Sequence, residues 1–534
     1  MTTILATRCL GDIRGKTGEG VTQFLGVKYA NLKNRFADAE LVEERKGDIL
    51  DATADGPTAL SPPVGCEIEL GHVQHSLPKK DLTQSDVDCL NLNVAVPSNA
   101  TPSSKLPVLV YIHGGGLFIG ANSWPQNDLL RLVKLSIEKN LPVVVVAINY
   151  RLGAPGFLTS EELRNAGYRA NNGLRDQRMA LAWVRKHIED FGGDPENITA
   201  AGMSAGGAAV TYHLHSQKPL FKRAISMSGT SLFVPALPYE VHEENYKHAM
   251  AALGLNDIAA EERVKALLEM PGHELIAKLP PSVLVSPAID SDIVLPGITY
   301  NELGKPNSKA LPGHSWCQDL LIGDAEVDTS ILQVVAPRIN ANCTERFISA
   351  VRQVLASHPE EAQRILDFYG ITEDTPDEKS ISSIFKFSAD ILCHAAALSF
   401  ARGWNGNAYV YHFNEGNPWD GPWKGHANHI LDTAYLFQTF TEYLSPEQQK
   451  VGTAFAEDFF KFCHGLAPWP AITPGEINSG FSARVYGPSD QGKISGVVTE
   501  AFGGDSMRRS ILFDGASKVP LDDLAKVFVN FMAS

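Results

Sequence analysis

The chain has 534 residues, of which 44% are apolar, and its 46 lysines and arginines against 61 aspartates and glutamates give a net charge of −15. This acidic balance argues against nucleic acid or an anionic membrane surface as a partner. The apolar fraction supports a large buried core, while no unbroken apolar run approaches the ~18 residues of a membrane span.

Strand-like and helix-like segments alternate along the chain. The strand-like ones are VTQFLGVKYA, LPVLVYI, LPVVVVAINY, ITAAGM, DLLIG at 319–323 and AYVYHF at 408–413. Continuous apolar strands of this kind are typical of parallel sheets that helices cover on both faces. The segment NNGLRDQRMALAWVRKHIEDFGG predicts a helix, closed by Gly192–Gly193, whose apolar face holds Leu174, Met179, Leu181, Ala182, Val184 and Ile188.

Helical patterns such as EERVKALLEM and EEAQRILDFYG dominate two blocks, about 235–315 and 330–400. No internal repeat divides the sequence, so a single domain over 1–534 is the simplest interpretation. Alternating strands and helices predict an α/β fold with a mostly parallel, doubly wound sheet. We expect the helical blocks to be insertions that cover the carboxyl ends of the strands, where ligands bind in such sheets.

The chain ends and the cysteines bear on localisation. MTTILATRCL lacks the basic start and long apolar stretch of a secretory signal, and FVNFMAS carries no retention or peroxisomal address, so we expect a cytoplasmic protein. The seven cysteines show no metal-ligand spacing, which favours buried thiols. Cys66 and Cys89 are the pair that could form a disulfide in an oxidising compartment.

Ser204 lies between two glycines in GMSAG, where a strand-like segment becomes helix-like. A tight turn that needs small residues would explain this pattern. A nucleophile would explain it too, since a sharp strand-to-helix turn exposes a serine hydroxyl for an adjacent base to activate. Gly202 and Gly206 would keep the neighbouring backbone clear of such an elbow.

A glycine run, HGGG, begins at His113 directly after LPVLVYI and 91 residues before Ser204. Glycine amides can turn toward a bound carbonyl because no Cβ blocks the approach. A loop of this kind supplies oxyanion-hole donors in esterase-like hydrolases, together with the amide that follows the nucleophile. We therefore expect the amides of Gly115, Gly116 and Ala205 to form an oxyanion hole.

The segments FLGVKYA, DCLNLNVAVP, HGGGLFIG, INYRLGAPGFL, NNGLRDQRMALAWVRKHIEDFGGDPENIT and GMSAGG occur in this order. Together they resemble the type B carboxylesterases, the α/β-hydrolase family that includes the cholinesterases, densely over about residues 10–230. The resemblance implies an α/β-hydrolase fold, a Ser–acid–His triad in that chain order, and hydrolysis of carboxylic esters without a metal ion or cofactor. Met203 departs from the family, which usually has glutamate before the nucleophile.

The resemblance places the catalytic histidine three positions before an acidic residue and close to an aromatic-rich helix start. In GHANHILDTAYLFQ, His429 precedes Asp432 by three positions, and this spacing favours His429 over His426 as the base. His426 would lie in the preceding loop, where it could line the substrate pocket.

The acid should follow the strand DLLIG, where IGDAEVDTSIL offers Asp324, Glu326 and Asp328. An ungapped alignment puts Asp328 at the family's catalytic glutamate, which would draw the carboxylate back by one methylene, ~1.5 Å. Glu326 is the alternative if the loop shifts by two residues. The expected triad is thus Ser204, Asp328 and His429.

The expected reaction is cleavage of a small-molecule ester by water through an acyl-enzyme. The candidate pocket residues are Leu117, Phe118, Trp423 and His426, although core packing explains bulky residues equally well. The same groups could attack a lactone, a thioester or an amide. A non-catalytic, cholinesterase-like binding protein is the alternative of another class. Substrate and oligomeric state stay open.

Overall fold

The computed structural model describes residues 1–283, 285–472, 481–500, 512 and 518–534. Its strands are β1 Thr2–Ala6, β2 Asp12–Gly18, β3 Val21–Lys28, β4 Ala30–Asn31, β5 Glu40–Leu41, β6 Leu50–Asp51, β7 Asn91–Pro97, β8 Leu106–Ile112, β9 Val144–Ile148, β10 Gly193–Met203, β11 Arg223–Met227, β12 Asp319–Ala325, β13 Asn407–Phe413, β14 Phe481–Tyr486 and β15 Ser495–Glu500. Its helices are α1 Gly65–Val73, α2 Leu130–Glu138, α3 Gly153–Phe157, α4 Glu161–Asn165, α5 Asn172–His187, α6 Ala205–His213, α7 Tyr239–Leu253, α8 Ala260–Glu269, α9 Gly272–Lys278, α10 Tyr300–Leu303, α11 Leu332–Val335, α12 Cys343–Val354, α13 Pro359–Phe368, α14 Asp377–Ala389, α15 Ala396–Arg402, α16 Leu431–Leu436, α17 Pro446–Cys463 and α18 Leu521–Ala533.

One large mixed sheet organises the fold. Its strand order is β1-β2-β3-β7-β9-β8-β10-β11-β12-β13-β14-β15, with β6 paired to β2. The central pairings from β9 to β14 are parallel, as is that of β6 with β2, while the pairings from β1 through β2, β3 and β7 to β9 and the β14–β15 hairpin are antiparallel. The predicted α/β fold with a mostly parallel sheet is confirmed, and sequence reasoning missed the antiparallel edges.

The central strands are buried on both faces, as their continuous apolar sequences predict. In β9, Val144, Val146 and Ile148 enter one core cluster, whereas Val145 and Ala147 enter the cluster on the opposite face. This alternation is the period of two that a strand imposes on its side chains. Helices α5 and α6 pack on the first of these faces, and α2 and α17 pack on the second.

The two helical blocks form where the sequence predicts them, and each contributes a core of its own. Helices α7, α8 and α9 enclose one apolar cluster. Helices α12 to α15 enclose another together with α18. The second block contacts the loop that follows β12. The Thr329 hydroxyl in that loop donates to the Phe385 carbonyl of α14 over 2.6 Å.

One local expectation needs correction, and one cysteine pairing that the sequence left open is absent. The strand before Ser204 begins at Gly193, five residues ahead of ITAAGM, because Gly193 pairs with Leu106 of β8. Cys66 and Cys89 are free thiols, so this structure contains no disulfide between them. The Cys66 thiol instead points toward Gln126 Oε1 at 3.9 Å, and burial raises its pKa to about 12, which keeps it protonated.

The helical segment Asp377–Arg402 is long and apolar enough to cross a membrane, with a mean hydropathy of 1.4 over 18 residues. Polar residues interrupt the segment, so no unbroken apolar run marks it in the sequence. In the structure, 94% of that window is buried inside the protein. The segment therefore has the environment of a core helix.

Candidate active site

The glycine-flanked serine occupies a sharp turn between β10 and α6. Ser204 has φ 56° and ψ −124°, a strained conformation for a residue with a side chain. A Cβ on Gly202 would lie 2.3 Å from the Gly206 backbone, and one on Gly206 would lie 2.0 Å from the Ile112 carbonyl oxygen. The glycines are thus required by close backbone approach, and they allow the turn to present the hydroxyl.

Ser204, His429 and Asp328 form one hydrogen-bonded chain. The Ser204 Oγ lies 2.9 Å from His429 Nε2, and His429 Nδ1 lies 3.1 Å from Asp328 Oδ1. Because the carboxylate only accepts, His429 carries its proton on Nδ1 and offers Nε2 to the serine hydroxyl. Asp328 is 0% exposed and Ser204 is 8% exposed, so the hydroxyl keeps limited contact with solvent.

The loop after β12 separates the two candidate acids. At Asp328 the chain enters a short 3₁₀ turn, and the Ala325 amide donates to Asp328 Oδ2 over 2.9 Å. Glu326 instead meets His426, whose Nδ1 lies 3.4 Å from Glu326 Oε2. The structure therefore brings Asp328 to His429 and pairs the two alternative residues with each other.

The Ser330 hydroxyl positions the backbone of His429 through a hydrogen bond. Its Oγ accepts the His429 N–H over 3.0 Å and lies 3.2 Å from His72 Nε2. Burial lowers the pKa of His72 to about 3, so its ring is neutral and can accept the Ser330 hydroxyl proton. The rings of His72 and His429 lie 6.4 Å apart, which places α1 beside the base.

Asp432 forms a second buried carboxylate next to the triad. Its Oδ2 accepts from the Tyr411 hydroxyl over 2.9 Å and from the Ser228 hydroxyl over 3.3 Å. Burial and the charge of Asp328 raise the pKa of Asp432 to about 6. Two carboxylates therefore contribute negative charge around the base.

The glycine loop packs against the serine turn. A Cβ on Gly114 would lie 2.8 Å from the Met203 carbonyl oxygen, which shows how closely the two segments approach. Gly115 and Gly116 have φ of 91° and 62°, in the left-handed region that glycine tolerates. Ala205 opens α6, where helix amides have no acceptor within the helix. Gly114 thus brings the glycine loop against the serine turn, Ala205 follows Ser204 directly, and the oxyanion hole of Gly115, Gly116 and Ala205 stays a prediction.

Helix α1 adds a carboxylate that sequence reasoning missed. Glu69 is half-buried, and its Oε1 accepts from the buried Gln126 amide over 2.8 Å. Burial raises the pKa of Glu69 to about 7, while the charge of His429 works in the opposite direction. Glu69 is therefore electrostatically coupled to the base and titrates near neutral pH.

The four predicted pocket residues divide into different environments. Leu117 is 2% exposed and belongs to the main core, which favours core packing over a place in the substrate pocket. Phe118 is half-buried, and a Cβ on Gly153 would lie 3.7 Å from its ring. Trp423 is half-buried with its ring 6.5 Å from that of His72, whereas His426 is exposed beside Glu326.

The comparisons identify the family. Residues 1–466 match the model of the carboxylesterase family. The chain belongs to this family. A para-nitrobenzyl esterase from Bacillus subtilis is 31% identical over 82% of this chain and 83% of its own. A thermophilic PNB esterase structure superposes with a TM-score of 0.74 at 25% identity, over 96% of this chain and all of that chain.

One further relative is described as inactive. An inactive carboxylesterase-like protein from Byssochlamys spectabilis is 25% identical over 86% of this chain and 85% of its own. The esterases and lipases among the relatives, with the family match, make this carboxylesterase a serine ester hydrolase. The contacts within its own site decide which residues are candidates for that chemistry.

Proposed function

We propose that Ser204, His429 and Asp328 are the nucleophile, the general base and the acid of this carboxylesterase. The observation that carries the proposal is the continuous chain of contacts, 2.9 Å from serine to histidine and 3.1 Å from histidine to aspartate. A serine hydroxyl is a weak nucleophile without a base, and an imidazole is oriented by a buried carboxylate. Ser204 follows β10 directly, Asp328 follows β12 by three residues, and His429 lies between β13 and α16.

The first half-reaction forms an ester between enzyme and substrate. Ser204 Oγ bonds to the substrate carbonyl carbon as its proton moves to His429 Nε2. The carbon–oxygen bond to the alcohol then breaks, and the alcohol leaves with the proton from Nε2. Asp328 stabilises the transient imidazolium through Nδ1 and stays ionised.

Water completes the cycle. His429 Nε2 takes a proton from the attacking water, the bond to Ser204 Oγ breaks, and the serine recovers that proton while the carboxylic acid leaves. In both halves, the N–H groups of Gly115, Gly116 and Ala205 hold the negative oxygen. One such donor contributes roughly 2.7–4 kcal/mol to transition-state stabilisation in serine hydrolases.

We propose carboxylic esters of moderate size as substrates, supported by the family and by the half-buried ring of Trp423, which lies 6.5 Å from the ring of His72 beside the base. The same attack on a lactone, a thioester or an amide is the alternative. A panel of p-nitrophenyl esters of increasing acyl length, with matched thioesters and lactones, would rank these classes by kcat/KM.

A fluorophosphonate probe tests the nucleophile. We expect one adduct per active chain, which peptide mass spectrometry locates on Ser204, and loss of ester hydrolysis in proportion to labelling. Ser204→Ala should remove both the adduct and the activity while its melting temperature stays close to that of the native enzyme. An adduct on another residue, or active enzyme that resists the probe, would contradict the assignment.

A further inference from the structure

A second cluster of titratable residues lies at the carboxyl edge of the sheet, outside the hydrogen-bonded triad. Asp324 in β12 is the register partner of His412 in β13. His394 joins them from the π-helical turn Asp390–Ala395, which lies between α14 and α15. All three side chains are at most 3% exposed.

The cluster has the donor set of a transition-metal site. His412 Nδ1 lies 2.5 Å from Asp324 Oδ1, and His394 Nδ1 lies 3.4 Å from Asp324 Oδ2. One ligand atom from each residue falls within 4.8 Å of the others. Two imidazole nitrogens and one carboxylate oxygen offer three donor atoms of the types that Zn²⁺ binds, and a water molecule would complete its usual four-coordination.

The distances between the donor atoms can be compared with those around a bound zinc ion. With metal–ligand bonds of about 2.0–2.1 Å, neighbouring donors of a tetrahedral site lie roughly 3.3 Å apart. The His394 contact of 3.4 Å already meets this spacing. The His412 contact of 2.5 Å must widen by roughly 0.8 Å, which a small rotation of either side chain provides.

The local charge favours a cation. Asp324 shares this end of the sheet with two further buried carboxylates, those of Asp328 and Asp432, and all three residues are at most 1% exposed. Three carboxylates are therefore buried in this region. Burying charge is costly unless an opposite charge compensates it.

The π-helical turn that carries His394 is a further indication of a functional site. A π-helical turn inserts an extra residue into an α-helix, and such turns occur frequently at functional sites. Here the turn interrupts the segment Asp377–Arg402 where His394 meets Asp324. The ring of His394 lies 5.1 Å from that of His412, so the two imidazoles face the same carboxylate from neighbouring elements.

We propose that Asp324, His394 and His412 form a buried structural site for one Zn²⁺ ion. The ion would tie β12, β13 and the π-helical turn together. It would also fix the catalytic acid indirectly, because the amide of Ala325, the residue after Asp324, holds Asp328 Oδ2 over 2.9 Å. Co²⁺ and Ni²⁺ suit the same donors.

Metal content tests the proposal directly. The full chain, expressed with added Zn²⁺ and purified without chelators, should contain one equivalent of zinc by mass spectrometry of the digested protein. Because the site is buried, the ion should enter during folding, so a second sample is refolded from denaturant with Zn²⁺ or Co²⁺. Four-coordinate Co²⁺ should then give visible d–d absorption.

His394→Asn separates metal binding from a simple hydrogen-bond network. An asparagine amide can still donate to Asp324, but it is a poor zinc ligand. We expect the variant to fold and to retain less than a tenth of an equivalent of zinc. His248→Gln is the matched control, because His248 is an exposed histidine far along the chain from the cluster, and it should retain the full equivalent.

The outcomes are distinct. Native protein that holds no stoichiometric metal after both treatments, or a His394→Asn variant that holds as much as the control, would overturn the proposal. If that variant fails to fold, anomalous diffraction at the zinc edge from native crystals decides the question. A peak within bonding distance of all three residues supports the site, and zinc found only elsewhere refutes it.

Discussion

Replacing Asp328 with asparagine keeps the shape of the side chain and removes its ability to accept from both neighbours. In the native site, Oδ1 accepts from His429 Nδ1 and Oδ2 accepts from the Ala325 amide. An asparagine offers one acceptor and one NH₂ group. Either orientation therefore places a donor against a donor in a fully buried position.

The catalytic effect follows from the tautomer of His429. If the NH₂ group faces Nδ1, the imidazole must carry its proton on Nε2, which then points at Ser204 and cannot act as a base. The same substitution in a serine protease lowers kcat by about 10⁴, equivalent to roughly 5.5 kcal/mol. If the NH₂ group faces Ala325, two buried donors lose their acceptor, at about 1–3 kcal/mol of folding stability each.

We therefore expect Asp328→Asn to lower kcat for p-nitrophenyl acetate by about 10³–10⁴, with a modest fall in melting temperature. Glu326→Gln is the matched control, because Glu326 forms a partly exposed pair with His426 that contributes about 0–1 kcal/mol. Its kcat should stay within about fivefold of the native value. A larger loss in the control than in Asp328→Asn would refute the assignment of the acid.

Three further predictions concern the surroundings of the triad. Gly206→Ala puts a Cβ 2.0 Å from the Ile112 carbonyl oxygen and should cost at least about 1–3 kcal/mol in urea unfolding, whereas Gly71→Ala meets nothing within 4 Å in α1 and should be neutral or stabilising. Ser330→Ala leaves the His429 N–H without its acceptor, so kcat should fall about tenfold with KM nearly unchanged, and an unchanged kcat would contradict a positioning role. Glu69 has a pKa of about 7 against 4.5 when unperturbed, so its protonated form is favoured by folding and its contribution to stability is lost as pH rises from 4.5 through 7. Glu69→Gln should therefore raise the melting temperature relative to native protein more at pH 8 than at pH 5, and a difference independent of pH would contradict the shifted pKa.

The sequence predicts the parts of this enzyme that depend on backbone geometry. A Cβ on Gly202 would lie 2.3 Å from neighbouring backbone atoms, and one on Gly206 would lie 2.0 Å from them. Both positions therefore require glycine, and they form a motif that can be recognised in a single sequence. The apolar strands likewise reveal the parallel centre of the sheet, because burial on both faces excludes polar residues. The outermost antiparallel strands β1, β2 and β15 carry many exposed residues, so no comparable constraint marks them.

The choice between Asp328 and Glu326 depends on a single turn. Residue type and spacing allow either carboxylate to follow β12. The 3₁₀ turn that begins at Asp328 and the hydrogen bond to Ala325 direct one side chain to His429 and leave the other beside His426. Alignment with a family motif gave the correct neighbour of His429, but only the folded loop explains why.

The residues that support the triad left no signal in the sequence because they act through side chains from distant segments. His72 and Glu69 come from α1, more than 350 residues before His429, and Ser330 comes from the loop after β12. A hydroxyl or a carboxylate at such positions resembles any surface residue until the fold buries it. Yet burial raises the pKa of Glu69 to about 7 and lowers that of His72 to about 3, and the charge of His429 acts on both groups to a smaller extent. We therefore expect Glu69, which lies outside the recognisable motifs, to influence the pH dependence of this carboxylesterase.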